Sequence, residues 1–145
     1  MGEVRGCEFP DGLLYEVASN IWVRREGAGE ITLGMTSYGC CLAGPLVAFT
    51  PRRVGKEIRQ GRSCATVESG KWVGPIITPV SGVIVAVNET LYDEPRLINR
   101  DPYGAGWLVR LRGGAWERES RALLDAATAL REFEKRMNED GFEGC

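Results

Sequence analysis

One lysine stands in a setting that makes its side-chain amine a candidate for chemistry. Residues 67–73 read Val-Glu-Ser-Gly-Lys-Trp-Val, in which two strand-like runs flank Gly70 and Lys71. This pattern predicts that Lys71 lies at the tip of a β-hairpin. A protruding amine on a rigid β scaffold is open to a protein ligase, which can attach an acyl group through an amide bond. Because exposed lysines in turns are common, the position alone does not establish a modification site.

The five cysteines are the other candidates for chemistry. Cys7, Cys40 and Cys145 are candidates for redox-active thiols, because an exposed thiol beside a reactive group can resolve a mixed disulfide or a persulfide. The odd number of cysteines predicts reduced thiols in a cytosolic chain, and Cys64 is expected to be buried. No C-x-x-C pair and no histidine occur, so the sequence predicts no metal site.

The sequence offers little support for an independent enzyme. Without histidine, a general acid or base would have to be a carboxylate or a cysteine, and no convergent pair of such residues stands out. Gly70-Lys71 also fails as a P-loop, which would need glycine at Ala65 and serine or threonine at Trp72. We therefore expect no catalytic residues.

The elements that must position these residues are mostly short strands. Gly, Pro and Asn turn signals recur through the first two thirds of the chain and leave only short apolar segments between them. The segments with β-branched and aromatic residues are 13–17, 21–24, 31–35, 46–50, 65–68, 82–87 and 106–111. The predicted fold is mainly β, a sandwich or flattened barrel.

The last quarter of the chain predicts a helix. No Gly or Pro occurs from Glu117 to Met137, and the sequence indicates a helix over about residues 117–139. The apolar residues at helical spacing, which we expect to pack on the sheet, are Leu123, Ala127, Leu130, Phe133 and Met137. A length of 145 residues fits a single domain over residues 1–145.

The composition is that of a soluble globular protein, with 43% hydrophobic and 26% charged residues. The formal net charge is −2 and both signs are interspersed, which favours neither nucleic acid nor a membrane surface as a partner. Apolar runs stay far below the ~18 residues of a membrane span. Neither a secretory signal nor a transit peptide is apparent near the N-terminus, which predicts a cytoplasmic location.

Several motifs extend the pattern around the lysine. They are Glu68-Ser69-Gly70-Lys71, Pro79-Val80-Ser81-Gly82, Val87-Asn88-Glu89, Leu97-Ile98-Asn99 and Asp101-Pro102-Tyr103-Gly104-Ala105-Gly106-Trp107-Leu108. With these motifs, residues 13–112 resemble the H protein of the glycine cleavage system. The resemblance implies a lipoate joined covalently by an amide to Lys71. It also implies a flattened β-barrel-sandwich of the lipoyl hammerhead type, closed by a C-terminal helix.

Other positions depart from that pattern. Gly70 and Trp72 flank the lysine where members from glycine cleavage usually carry an aliphatic residue and alanine, and Cys40–Pro45 replaces the usual acidic, glutamine-containing segment. These departures, with residues 140–145, resemble the lipoate-binding proteins of bacterial sulfur oxidation. That resemblance implies a carrier of sulfur intermediates for a cytoplasmic heterodisulfide-reductase-like complex. The implied further partners are dedicated lipoate-attaching enzymes and dihydrolipoamide dehydrogenase.

Two alternatives stay open at this point. The chain is a glycine cleavage H protein that carries an aminomethyl group, or an interaction module in which Lys71 is never lipoylated. A biotin carrier is disfavoured, because biotin-accepting hairpins place methionines on both sides of the lysine, where this chain has Gly70 and Trp72.

Overall fold

The computed structural model describes residues 2–145. The strands in this range are β1 (Gly2–Val4), β2 (Cys7–Phe9), β3 (Leu14–Glu16), β4 (Ile21–Arg25), β5 (Glu30–Met35), β6 (Leu46–Pro51), β7 (Glu57–Ile58), β8 (Ser63–Ser69), β9 (Val73–Ile77), β10 (Gly82–Val87) and β11 (Val109–Gly113). The helices are α1 (Ser37–Ala43), α2 (Thr90–Asp93), α3 (Leu97–Arg100), α4 (Trp116–Glu119) and α5 (Ala126–Asp140).

The strands form three antiparallel sheets. Six strands pair in the order β3-β4-β5-β11-β10-β7, three pair in the order β6-β8-β9, and β1 and β2 form a separate hairpin. One apolar cluster contains residues of both larger sheets, such as Leu33 and Val67, and so joins them into a sandwich. The expectation of a mainly β sandwich with a C-terminal helix is confirmed.

Strand β4 is buried on both faces, which explains why its sequence does not alternate between apolar and polar residues. Ile21 and Val23 point into the cluster between the sheets, while Trp22 belongs to a second cluster with Phe133 of α5. Phe133 in turn stacks on Phe9 of β2, with ring centroids 4.7 Å apart. The helix and the N-terminal hairpin therefore cover the outer face of the six-stranded sheet.

The C-terminal helical region is not the continuous helix that the sequence predicted. A 3-10 turn over Ser120–Ala122 follows α4, and Leu124 then exchanges two backbone hydrogen bonds with Tyr15, at 2.8 and 2.9 Å. This pairing extends the chain, and Asp125 starts α5 by accepting a hydrogen bond from the Thr128 N–H at 2.9 Å. As a result the buried stripe runs through Ala126 and not, as predicted, through Ala127, which is exposed.

Helix α1 and the β1–β2 hairpin were not predicted. The Thr36 side chain caps α1 by accepting a hydrogen bond from the Gly39 N–H at 3.1 Å, and Gly44 ends it with a φ of +81°. Three of its residues are glycine or cysteine, which hid the helical periodicity. Among residues 2–145, no helix combines the length and apolar character needed to cross a membrane.

Candidate functional site

The hairpin predicted around Lys71 is confirmed. Strands β8 and β9 flank it, and the Ser69 N–H donates to the Trp72 carbonyl at 2.7 Å to close a four-residue turn. The Lys71 N–H donates to the Ser69 hydroxyl at 3.3 Å, which adds a second bond inside the turn. Lys71 is exposed at the tip. The sheet thus holds the lysine backbone while leaving its side chain outside.

The Lys71 side chain extends from the tip across the end of α1. A Cβ atom placed on Gly44 would lie 3.0 Å from Lys71 Cε and 3.6 Å from Nζ. Within residues 2–145, no side-chain hydrogen bond or ion pair holds the lysine amine. The amine is therefore available to a modifying enzyme. The Lys71 side chain that carries it lies over Gly44.

Asn99 at the end of α3 fixes the segment beneath the lysine. Its Nδ2 donates to the Gly44 carbonyl and its Oδ1 accepts from the Leu46 N–H, both at 2.9 Å. These two bonds bracket the turn that leaves α1 and enters β6. Sequence reasoning missed this role, although Asn99 is part of the Leu97-Ile98-Asn99 motif and Gly44 stands beside Pro45 in a turn signal.

A cavity of about 320 Å³ lies between α1 and the hairpin. Its walls include the apolar residues Met35, Leu42, Trp72 and Ile76 together with the polar residue Ser19. Asn20 also lines it, and its Oδ1 is a buried side-chain oxygen without a hydrogen-bond partner in the part of the chain that the structure describes. The cavity is therefore lined by both apolar and polar residues, and the unpaired Asn20 oxygen is buried behind its wall.

Trp72 forms the hairpin side of this cavity. Its indole ring lies directly on the backbone of Gly74, since a Cβ atom there would come within 2.0 Å of the ring. The residue is still 39% exposed. Trp72 thus combines a fixed position on Gly74 with partial exposure to solvent.

The buried positions of Cys7 and Cys40 correct the expectation of accessible thiols there. Both residues are buried, and burial raises the pKa of the Cys7 thiol and raises that of Cys40 to about 12. A neutral thiol inside the core is a poor nucleophile. Cys64 is buried as predicted, and burial raises its pKa to about 12 as well.

The sequence predicted that all five cysteines are reduced, which is wrong for Cys41 and Cys145. Cys145 forms a disulfide with Cys41 of α1, across 104 residues of sequence. The sequence did not point to Cys41, because nothing local links residues so far apart along the chain.

The Asp101–Leu108 motif supports the site from a distance. The Asn88 side chain donates to the carbonyls of Ala105 and Trp107, at 2.7 and 2.8 Å, which fixes the loop. From this loop the Tyr103 hydroxyl donates to the Glu8 carbonyl and accepts from the Ser37 N–H at 3.0 Å. The motif thereby positions the start of α1, which forms one wall of the cavity. Among the described residues, no three potential metal ligands cluster.

Comparisons with known proteins agree with this architecture. The family model for the glycine cleavage H-protein matches residues 13–137. Glycine cleavage system H protein 5 of Aquifex aeolicus is 42% identical over 145 residues, which cover 97% of each chain. H protein 3 of the same organism is 38% identical over 140 residues, covering 94% of this chain and 87% of the relative.

A solved structure shares the fold. The crystal structure of a glycine cleavage system H protein from Mycobacterium marinum superposes with a TM-score of 0.72 at 33% identity, covering 92% of this chain and 99% of that one. Fold, family model and relatives lead to the same conclusion. The chain belongs to the glycine cleavage H-protein family, whose members are lipoate-bearing carriers and not enzymes.

Proposed function

We propose that this chain is a lipoyl carrier of the glycine cleavage type and that its lipoyl group is attached to Lys71. The observation that carries the proposal is the exposed, unpaired amine of Lys71 at a hairpin tip, with its side chain lying over Gly44 at the end of the helix that lines a cavity. No other lysine has this setting: Lys56 precedes the short β7, and Lys135 lies in the middle of α5.

The residues around Lys71 fit a lipoyl group. Leu42, Trp72 and Ile76 offer apolar surface to its alkyl chain, and the cavity is lined by Trp72 and Ala43, the chain neighbours of Lys71 and of Gly44. When bound, the group supplies a dithiolane that cycles between a disulfide and a dithiol. The protein supplies placement and shelter.

Each neighbouring residue has a distinct task in this proposal. Gly44 leaves room for the Lys71 methylene chain, and Asn99 holds Gly44 in place through its carbonyl. Trp72 shields one side of the arm from water. A fixed hairpin with a long flexible side chain keeps the effective concentration of the carried group high at a partner's active site.

The family and its relatives favour an aminomethyl group as the cargo over a sulfur intermediate. The expected partners are then lipoate-attaching enzymes, the glycine decarboxylase, the aminomethyltransferase and dihydrolipoamide dehydrogenase. The proposed location of the protein is the cytoplasm.

One observation favours sulfur transfer as a second candidate function. Two of the relatives are numbered H proteins of a single organism, so carriers of this kind occur in several versions in one cell. Here the residues that flank the lysine, Gly70 and Trp72, are also those that depart from glycine-cleavage members. The candidate is a carrier of sulfur intermediates that works with a heterodisulfide-reductase-like complex.

The attachment site is tested by mass spectrometry of the chain after incubation with a lipoate-attaching enzyme, ATP and lipoate. The chain has three lysines, Lys56, Lys71 and Lys135, so the assignment is simple. We expect a single lipoyl increment that maps to Lys71 and disappears in Lys71→Arg. The Lys56→Arg and Lys135→Arg variants serve as matched controls and should be modified normally. An increment on either of those lysines would overturn the proposal.

The cargo is tested with the lipoylated chain. Mixed with glycine decarboxylase, aminomethyltransferase, dihydrolipoamide dehydrogenase, tetrahydrofolate as the acceptor of the methylene group and NAD+, it should support glycine-dependent NADH formation, and the Lys71→Arg chain should not. If the loaded chain is inactive there, while a Lys71→Arg host loses oxidation of reduced sulfur compounds, the second candidate replaces the first.

A further inference from the structure

The disulfide between Cys41 and Cys145 lies at the surface and holds a second part of the protein against the site. Cys145 is exposed and Cys41 is half-buried, whereas the three other cysteines are buried. The Cα atoms of Cys41 and Cys145 are 5.8 Å apart, within the range usual for disulfides. The bond links the middle of α1 to the segment that follows α5, residues 141–145.

Non-covalent contacts also hold residues 141–145, and Phe142 packs against the cluster beneath α5. The Phe142 ring meets the edge of Tyr38 of α1, with centroids 5.0 Å apart, and the Cys145 N–H donates to the Arg5 carbonyl at 3.2 Å. Arg5 in turn donates to the Phe142 carbonyl at 3.0 Å. The Phe142 N–H also donates to the Met137 carbonyl of α5 at 2.9 Å, so the segment stays joined to α5, while the disulfide is its only covalent link to α1.

Helix α1 connects this bond to the lysine site. Gly39, Leu42 and Ala43 line the cavity, and the helix ends at Gly44 beneath the Lys71 side chain. Successive helix residues are about 100° apart, which places Cys41 on the side away from the direction that Gly39 and Ala43 share. Helix α1 has only seven residues, about two turns. The disulfide attaches to one side of this helix, and the opposite side forms a wall of the cavity.

We propose that Cys41 and Cys145 form a thiol–disulfide exchange site for dithiols and that its redox state sets how firmly α1 closes the cavity beside Lys71. A thiolate of the dithiol attacks the Cys145 sulfur, the bond to Cys41 breaks, and Cys41 leaves as a thiolate that takes up a proton. The second thiol of the dithiol then attacks its own mixed disulfide and releases Cys145.

The exchange transfers two electrons and two protons from the dithiol to the two cysteines, and the dithiol becomes a cyclic disulfide. Reduction leaves the Phe142 contacts in place, releases Cys145 from Cys41 and removes the covalent support behind α1. The site differs from the lysine site and does not require it to carry lipoate. The inference goes beyond the proposed function, and the chain without lipoate tests it.

The first test measures which cysteines react in the native, full-length, unlipoylated chain. The protein is treated with dithiothreitol, alkylated with iodoacetamide without denaturant, and mapped by mass spectrometry. We expect no alkylation before reduction, and alkylation of Cys41 and Cys145 alone after it. Labelling of that pair before reduction, or a pair that dithiothreitol leaves unlabelled, would overturn the proposal.

The second test measures whether the bond controls α1. Hydrogen exchange is compared between oxidised and dithiothreitol-treated protein, with the amides of β10 and β11 as the internal reference. Reduction should speed exchange in residues 37–44 about tenfold, as expected when a local support is lost, and leave the reference strands unchanged. The Cys145→Ser variant should exchange fast in both conditions. Unchanged exchange in residues 37–44 on reduction would refute the control of α1.

Neither test uses a lipoylated protein or a partner enzyme. Failure of the exchange site therefore leaves the carrier function of Lys71 untouched. Equally, a chain that is never lipoylated would leave both outcomes of these tests unaffected.

Discussion

The side chain of Lys71 lies against Gly44, so that a single methyl group at residue 44 would come within 3.0 Å of Lys71 Cε. Gly44 also ends α1 with a φ of +81°. The same glycine thus terminates the helix beside the cavity and leaves space for the lysine arm. A larger residue at position 44 would have to adopt the positive φ and also fit beside the Lys71 side chain.

Gly44→Ala should slow lipoylation of Lys71 several-fold and lower the free energy of unfolding by about 1–3 kcal/mol, the usual cost of a side chain in this backbone region. The loss of modification comes from crowding of the lysine side chain. Initial rates with a lipoate-attaching enzyme and urea unfolding measure the two effects.

Gly61→Ala is the matched control for this prediction. Gly61 has a similar φ of +84°, but nothing lies within 4 Å of the position that a Cβ atom would take there. The variant should lose comparable stability and keep the normal rate of lipoylation. Equal slowing in both variants would show that backbone strain, and not contact with Lys71, limits the reaction.

Trp72 should report the arrival of the lipoyl group by its fluorescence. Its ring borders the cavity next to Lys71, and disulfide sulfur quenches nearby indole emission, so lipoylation should lower the emission of the native protein. Trp72→Phe should abolish this change, while Trp116→Phe, at the start of α4, should preserve it. Persistence of the full change in Trp72→Phe would place the arm elsewhere.

Asn99→Ala should impair the site as well as the fold. It removes both bonds that bracket Gly44 and Leu46, and leaving such groups without partners costs about 1–3 kcal/mol. We expect faster hydrogen exchange at residues 44–46 and slower lipoylation. Asn88→Ala removes two comparable bonds from the distant 101–108 loop and should destabilise the protein without slowing lipoylation as strongly.

The buried thiols should stay inert over the ordinary pH range. Because burial raises the pKa of Cys40 and Cys64 to about 12, roughly one such thiol in ten thousand is ionised at pH 8 in the folded state. Native protein at pH 8 should therefore not react with iodoacetamide at these positions, while urea-unfolded protein should.

The same raised pKa values carry a stability prediction. Unfolding returns both thiols to a pKa near 9, so the stability that comes from keeping them neutral is complete below about pH 9 and is lost as the pH rises towards 12. The midpoint of urea unfolding should fall between pH 8 and pH 10.5. Stability that rises over this interval would contradict the burial of the two thiols.

Local patterns predicted several parts of the structure well. The hairpin around Lys71 was predictable because its turn residues and flanking strands lie within one short segment, and β10 matches its predicted bounds of residues 82–87. The helical stripe of Phe133 and Met137 was also correct, since helix periodicity depends on near neighbours.

Predictions failed where a distant residue competes for the backbone. The predicted helix is interrupted at Leu124 because its N–H and carbonyl pair with Tyr15, more than a hundred residues earlier, instead of with neighbouring turns of a helix. Strand β11 starts at Val109 and not at residue 106, because Asn88 holds the carbonyls of Ala105 and Trp107 in a loop. In both cases the tertiary partner outweighs the local propensity.

The sequence by itself determined that a lysine stands at a hairpin tip, that the body is mainly β and that the chain resembles H proteins, since each depends on residues close together in the chain. Only the tertiary structure decided that Gly44 lies under Lys71, that Trp72 and α1 enclose a cavity, and that Cys41 reaches Cys145. These relationships join segments far apart in sequence, and packing of the two sheets, α1 and α5 brings them together.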